Sequence, residues 1–207
     1  MDNTKKFKAS PEFREKFMPA ANALVEVLKG LYPNWKGLEQ LQSTPDRLVD
    51  MFAERCWSAK SIREALDSQV KAFDDAYSGM VVMGPSKVFI LCPHHLLPCE
   101  LAVTVGVLPA GKVLGASKFA RIADILGRRP IMQETYTTDL AEEIHNRLNP
   151  QGTAVYVVGS HSCMTSRGIK QSRDNQMSTC CLKGKFLSEP STKEEFMLTA
   201  SRRNLNG

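Results

Sequence analysis

No stretch of this 207-residue sequence stays apolar for long. Its longest apolar runs, such as Val88 to Cys92, fall far short of the ~20 residues a membrane-crossing helix needs. The lysine-rich opening, MDNTKKFKASPEFREKF, has no apolar core of the kind a secretory signal carries. Internal repeats, linkers and low-complexity tracts are missing too, which excludes solenoids and collagen-like chains. A composition of 43% hydrophobic and 24% charged residues excludes disorder. Histidine is scarce, at four residues, and the six cysteines (56, 92, 99, 163, 180 and 181) lack the regular spacing of a disulfide scaffold. Scattered in a chain of this size, they read as reduced core residues or metal ligands. Charge of one sign is also in short supply: 27 basic against 22 acidic residues leave +5, with no concentrated basic tract. The small excess by itself fits an anionic small molecule or weak nucleic-acid contact and decides neither, while the lack of a basic tract argues against the latter. The expectation is a soluble, cytoplasmic protein that contacts neither membrane nor nucleic acid and buries a full core without cross-links.

What is present begins with helices. Pro11, Phe13, Phe17, Ala20, Ala21, Leu24, Val25, Leu28 and Leu31 repeat at steps of three and four, predicting an amphipathic helix over residues 11–31. Thr44-Pro45-Asp46-Arg47 has the form of a helix start, followed by a buried face of Leu48, Val49, Met51, Phe52 and Trp57. A third helix is predicted from Ser61 to Phe73. Near residue 80 the pattern changes to short strands, 80–83 and 87–91 around Gly84-Pro85, then 101–108. Helices over 118–126, with Ser117 as N-cap, and over 133–148 precede strands at 153–158 and 177–186. A last helix over 190–199 would be capped by Ser191 or Thr192. The chain therefore divides into a helical region, 1–78, and an α+β region, 79–207. Strand pairs bracketing two helices predict an antiparallel sheet with helices packed on one face.

Chemistry-bearing residues concentrate in two places. Cys92-Pro93-His94-His95 follows an apolar strand, and His161-Ser162-Cys163 follows another. Thiols and imidazoles are zinc ligands, and a catalytic zinc takes three of them and leaves a fourth position open. Four ligands at finger spacing are absent. Cys180 and Cys181 are adjacent and should alternate across a strand. Lys118 and Arg121 share a face at a helix start, where backbone N–H groups already favour an anion. Arg167 and Arg47 add further donors, Arg128-Arg129 reads as a solvated surface pair, and Gln133-Glu134 opens a helix with a carboxylate able to read a guanine.

Together these motifs resemble the GTP cyclohydrolase I family, whose signature runs roughly Cys-Glu-His-His-Leu-Leu-Pro. Here it reads Cys92-Pro93-His94-His95-Leu96-Leu97-Pro98, continuing through residues 113–122, Arg128-Arg129, Gln133-Glu134, His161-Ser162-Cys163-Met164, Arg167-Gly168, Gly184-x-Phe186 and Glu194-Glu195-Phe196. The likeness covers about residues 42–198. It implies a tunnelling fold, an antiparallel four-stranded sheet with two helices, assembled as a homo-oligomer, usually a decamer, with sites between subunits. It further implies zinc on Cys92, His95 and Cys163, and an activated water attacking C8 of GTP. His161 would protonate N7 and His94 would assist ring opening. Release of formate and ring closure would give 7,8-dihydroneopterin triphosphate, for folate, another reduced pterin or a 7-deazaguanine. Glu134, with Gln133, would recognise guanine, while Ser117, Lys118, Arg121, Arg167 and Arg47 would hold the ribose and triphosphate.

Several positions depart from the family. Pro93 stands for Glu, Cys99 for an aromatic, Leu101-Ala102-Val103 for Gly-Lys-Ala and Thr135 for Arg, and the 172–181 segment is longer and lacks a threonine-rich run. Two other readings are a divergent tunnelling-fold enzyme for another purine nucleotide and a non-catalytic, zinc-stabilised ring subunit.

Overall fold

The computed structural model describes residues 7–205. The chain divides into two compact units after Trp57. In the first, α1 (Pro11–Leu31) starts at Ser10, whose hydroxyl accepts from the Phe13 N–H, and a short 3-10 turn (Leu38–Leu41) leads to α2 (Thr44–Arg55). Arg14 of α1 pairs with Asp46 and Asp50 of α2. The expected buried face of α2 shrinks to Val49: Met51 is exposed and Trp57 lies past the helix end. Pro45 and Val49, one turn apart, are the buried residues of α2, and the Phe52 ring packs on Phe17 of α1 at 4.9 Å.

The second unit opens with α3 (Ala59–Gln69), four residues shorter than predicted at its C-terminal end. Phe73 instead lies in β1 (Ala72–Asp74), exposed, opposite Val113 of β4 (Lys112–Leu114), a short pairing no periodicity announced. Ion pairs from α3 to α5 (Gln133–Leu148), Arg63–Glu143 at 3.1 Å and Asp67–Arg147 at 2.8 Å, tie α3 to this unit.

The main sheet has four antiparallel strands in the order β2 (Val81–Leu91), β3 (Pro98–Leu108), β5 (Gly152–His161), β6 (Met177–Gly184). The two short strands expected around Gly84-Pro85 are one continuous β2, with a bulge between Met83 and Ser86. A proline cannot donate to a ladder, and an edge strand with a bulge accommodates one. Gly84, at φ +123°, lets the strand pass: a Cβ there would meet the Val103 carbonyl oxygen at 2.4 Å.

α4 (Ala116–Leu126) and α5 cover one face, as the tunnelling fold requires, and the Tyr136 hydroxyl donates to the Ala123 carbonyl between them at 2.9 Å. Gly115, not Ser117, caps α4. The alternation of β3 turns Leu101, Val103, Val105 and Val107 toward these helices.

The opposite face is covered in part by α7 (Lys185–Ser188) and α8 (Pro190–Leu205). Phe186 therefore belongs to a helix rather than to β6, and Ser191 and Thr192 lie inside the first turn of α8 instead of capping it. Cys180 and Cys181 alternate as expected, with the Cys180 Sγ 3.9 Å from Met197 Sδ of α8. Phe186 and Phe196 meet edge to face at 5.5 Å over Ala154. Gly106 leaves the room they fill, since a Cβ there would lie 2.6 Å from the Phe196 ring. Phe196→Ala should lower unfolding stability by about 3–5 kcal/mol, read as a fall in the urea midpoint at unchanged slope.

Candidate active site

Strand β2 ends at Leu91, and the chain turns back into β3 through residues 92–97. The turn is closed by two backbone hydrogen bonds: Cys92 N–H donates to the Leu97 carbonyl at 2.9 Å, and Leu96 N–H to the Cys92 carbonyl at 2.8 Å. Leu96 takes a positive φ of 54° to complete it. Cys92 is thereby buried at the strand end while His94 and His95 project outward, their rings 6.4 Å apart and nearly perpendicular. From the other side, β5 runs into the single turn α6 (Ser162–Thr165), which carries Cys163.

Donor atoms of Cys92, His95 and Cys163 all lie within 4.8 Å of one another. Donors around a tetrahedral zinc sit about 3.5–3.8 Å apart, so small side-chain rotations close this group on an ion. All six cysteines are free thiols. Burial, then the neighbouring Cys92, pushes the Cys163 thiol above its usual range, and Arg167 pulls it down. Two thiols so close resist ionising together, and a divalent cation removes that resistance. The donor set and its spacing thus fit zinc. His94 lies outside the group, its Nδ1 3.9 Å from Cys92 Sγ. Arg167 Nη1 donates to His95 Nε2 at 2.7 Å.

Beside this group stands His161, the last residue of β5 and the direct cross-strand partner of Cys99. Its Nδ1 is 3.1 Å from the Cys99 Sγ, and its Nε2 is 2.8 Å from Oε1 of Gln133. Gln133 opens α5 directly above Gly159, and only the missing side chain there admits it: a Cβ would fall 2.2 Å from Oε1. The Gln133 side chain is therefore turned inward, 1% exposed, and not out toward solvent beside Glu134. Burial lowers the His161 pKa and the Glu134 carboxylate opposes that. Burial, with Cys92 and Cys163 nearby, holds the Cys99 thiol up at about 12. Cys99 is a core residue, 1% exposed, whose thiol also touches His161.

The cationic residues fall into separate groups. Lys118 Nζ donates to the Gln69 carbonyl at 2.8 Å and Arg121 Nη1 to the Gln69 side chain at 3.0 Å, with Ser117 beside them at the start of α4. The far end of α4 leads to Ile131, whose N–H donates to the Leu91 carbonyl next to Cys92. Along α4, Lys118 and Arg121 lie about 12 and 8 Å of helix before its end at Leu126. Arg47 is exposed on α2 of the first unit. Arg128 and Arg129 are not free surface charges: they pair with Asp124 and Asp139.

The family described as GTP cyclohydrolase I matches residues 20–201. A GTP cyclohydrolase 1 of Clostridium botulinum is 36% identical over 168 residues, covering 77% of this chain and 85% of that protein. One from Thermoanaerobacter pseudethanolicus is 34% identical over 186 residues, 89% of this chain and 95% of its own length. One from Drosophila melanogaster is 33% identical over 90% of this chain and 57% of the fly protein.

Proposed function

From a chain that belongs to the GTP cyclohydrolase I family, and is therefore an enzyme, we propose zinc-dependent hydrolysis of GTP at C8 of the guanine, releasing formate and yielding 7,8-dihydroneopterin triphosphate. The observation that carries this reading is the convergence of two thiols and an imidazole on one point beside a hydrogen-bonded His161. Cys92, His95 and Cys163 would hold the metal. Zinc bound in such a set supplies Lewis acidity and makes water a competent nucleophile near neutral pH.

The protein's own groups orient the substrate and move protons. His161 delivers a proton at the purine N7, which leaves C8 electron-poor and open to water. His94, on the exposed side of the same loop, moves a proton as the five-membered ring opens. Glu134, exposed at the start of α5, accepts from the guanine N1–H and 2-amino group. Gln133 supports the guanine side through His161, its own side chain being buried. Arg167, Ser117, Lys118, Arg121 and Arg47 supply charge-assisted bonds to the ribose and triphosphate.

By family resemblance the working form is a homo-oligomer, a decamer, in which the cationic start of one copy's α4 would complete another copy's metal-ligand group. No described helix is long and apolar enough to cross a membrane, in keeping with a cytoplasmic nucleotide enzyme.

Purified protein supplied with zinc and GTP should release formate in step with a pterin that fluoresces after oxidation. Zinc-loaded, assembled protein that releases no formate from GTP overturns the reading.

A further inference from the structure

Every proton around Gln133 can be placed by following donors to acceptors. Gln133 Nε2 faces the carbonyl oxygens of Met177 at 3.0 Å and Val157 at 3.4 Å, and Thr179 Oγ1 at 3.1 Å. Thr137 Oγ1 donates to the Gln133 backbone carbonyl at 2.7 Å, so the 2.6 Å contact between the two threonines has Thr179 donating to Thr137. The bonds close a directional ring, from the Gln133 amide to Thr179 to Thr137 and back to the Gln133 carbonyl. Reversing the amide would set its oxygen against two carbonyl oxygens. Oε1 is therefore the atom facing His161 Nε2, and an acceptor there requires an N–H on Nε2.

A neutral imidazole has a single N–H, so Nδ1 of His161 presents its lone pair. The atom before it is the Cys99 Sγ at 3.1 Å, on a residue 1% exposed and directly opposite His161 in the β3–β5 register. Only a thiol hydrogen can complete that contact. We infer that Cys99 is a positioning residue for the reaction: its S–H donates to Nδ1 and, with Gln133 fixing the Nε2–H tautomer from the other side, holds the ring against rotation. The N–H on Nε2 can be shared between Gln133 and a second acceptor, as three-centre bonds allow, whereas the Nδ1 lone pair is closed off by a buried thiol. For transfer to N7 the resting ring first takes up a second proton from solvent, the Cys99 sulfur turning from donor to acceptor at Nδ1. It then passes on the Nε2 proton, so the proton that reaches N7 always leaves from the same nitrogen. The inference rests on the proposed proton-transfer role of His161.

The test reads the ring directly. In protein labelled with 15N-histidine, at about pH 8 where imidazole is neutral, His161 should show a protonated Nε2 and a hydrogen-bonded, unprotonated Nδ1, with and without zinc. Cys99→Ser, whose hydroxyl can donate, should keep the Nδ1 hydrogen bond. Cys99→Ala, or the better-filling Cys99→Val if the alanine protein folds poorly, should lose the hydrogen-bond shift at Nδ1 while Nε2 stays protonated. In the zinc-loaded enzyme kcat should fall about 10–100-fold in the variant without a donor, with zinc content unchanged and KM for GTP within about twofold. Cys99→Ser should recover most of kcat. An unchanged Nδ1 resonance in the Ala or Val variant, or a serine variant as slow as the alanine one, overturns the inference. Undiminished turnover in His161→Ala instead overturns the role assigned to His161, while the nitrogen spectra still decide what Cys99 does.

Discussion

Cys163→Ala should lose zinc and GTP turnover together. Of the three donors within 4.8 Å, Cys163 alone comes from β5 and α6, whereas Cys92 and His95 share the β2–β3 turn. Removing it leaves two donors on one loop, too few for a catalytic zinc. Loss of a group that merely orients a ligand costs about 10–100-fold in metal affinity, and loss of a ligand itself should exceed that range. The measurement pairs metal content after dialysis with formate release across a zinc titration. Cys180→Ala serves as the control, since that thiol lies against Met197 on the other face of the sheet, and it should hold zinc normally. A Cys163→Ala protein that retains a full complement of zinc would falsify the ligand assignment.

His161→Ala should separate the two properties. His161 stands outside the three-donor group, with its ring nitrogens on Cys99 and Gln133. Zinc should stay bound while kcat drops about 10²–10⁴-fold, the usual worth of a positioned proton-transfer group. The variant also leaves a buried amide oxygen and a buried thiol without their partner, so a modest loss of stability accompanies it. Zinc loss at wild-type fold content would place His161 among the ligands and displace one of the other three.

The two Cys/His clusters were readable in the sequence because each lies within four consecutive residues at a strand end, where local order dictates proximity. The helices were readable for the same reason: α5 spans the predicted residues because its apolar positions repeat every three or four. What escaped depends on pairing between distant segments. Cys99 and His161 meet through the β3–β5 register, and the strands are separated in the chain by α4 and α5, so no local pattern gives their alignment. Gln133 and Glu134 are adjacent and polar, and sequence gives both the same prospects; Gly159, far along the chain, draws one inward. The β1–β4 pairing escaped because three residues are too few to display a period.

Gly159 also makes the site unusually sensitive to insertion. Side chains alternate across a strand, so sliding β5 by one position would set Val158 or Ser160 beneath Gln133 and carry His161 to the sheet's other face. Between Gly152 and His161 a single added or lost residue would part the imidazole from both the thiol and the amide, leaving the apolar alternation of the strand as the element that keeps the proton on one nitrogen.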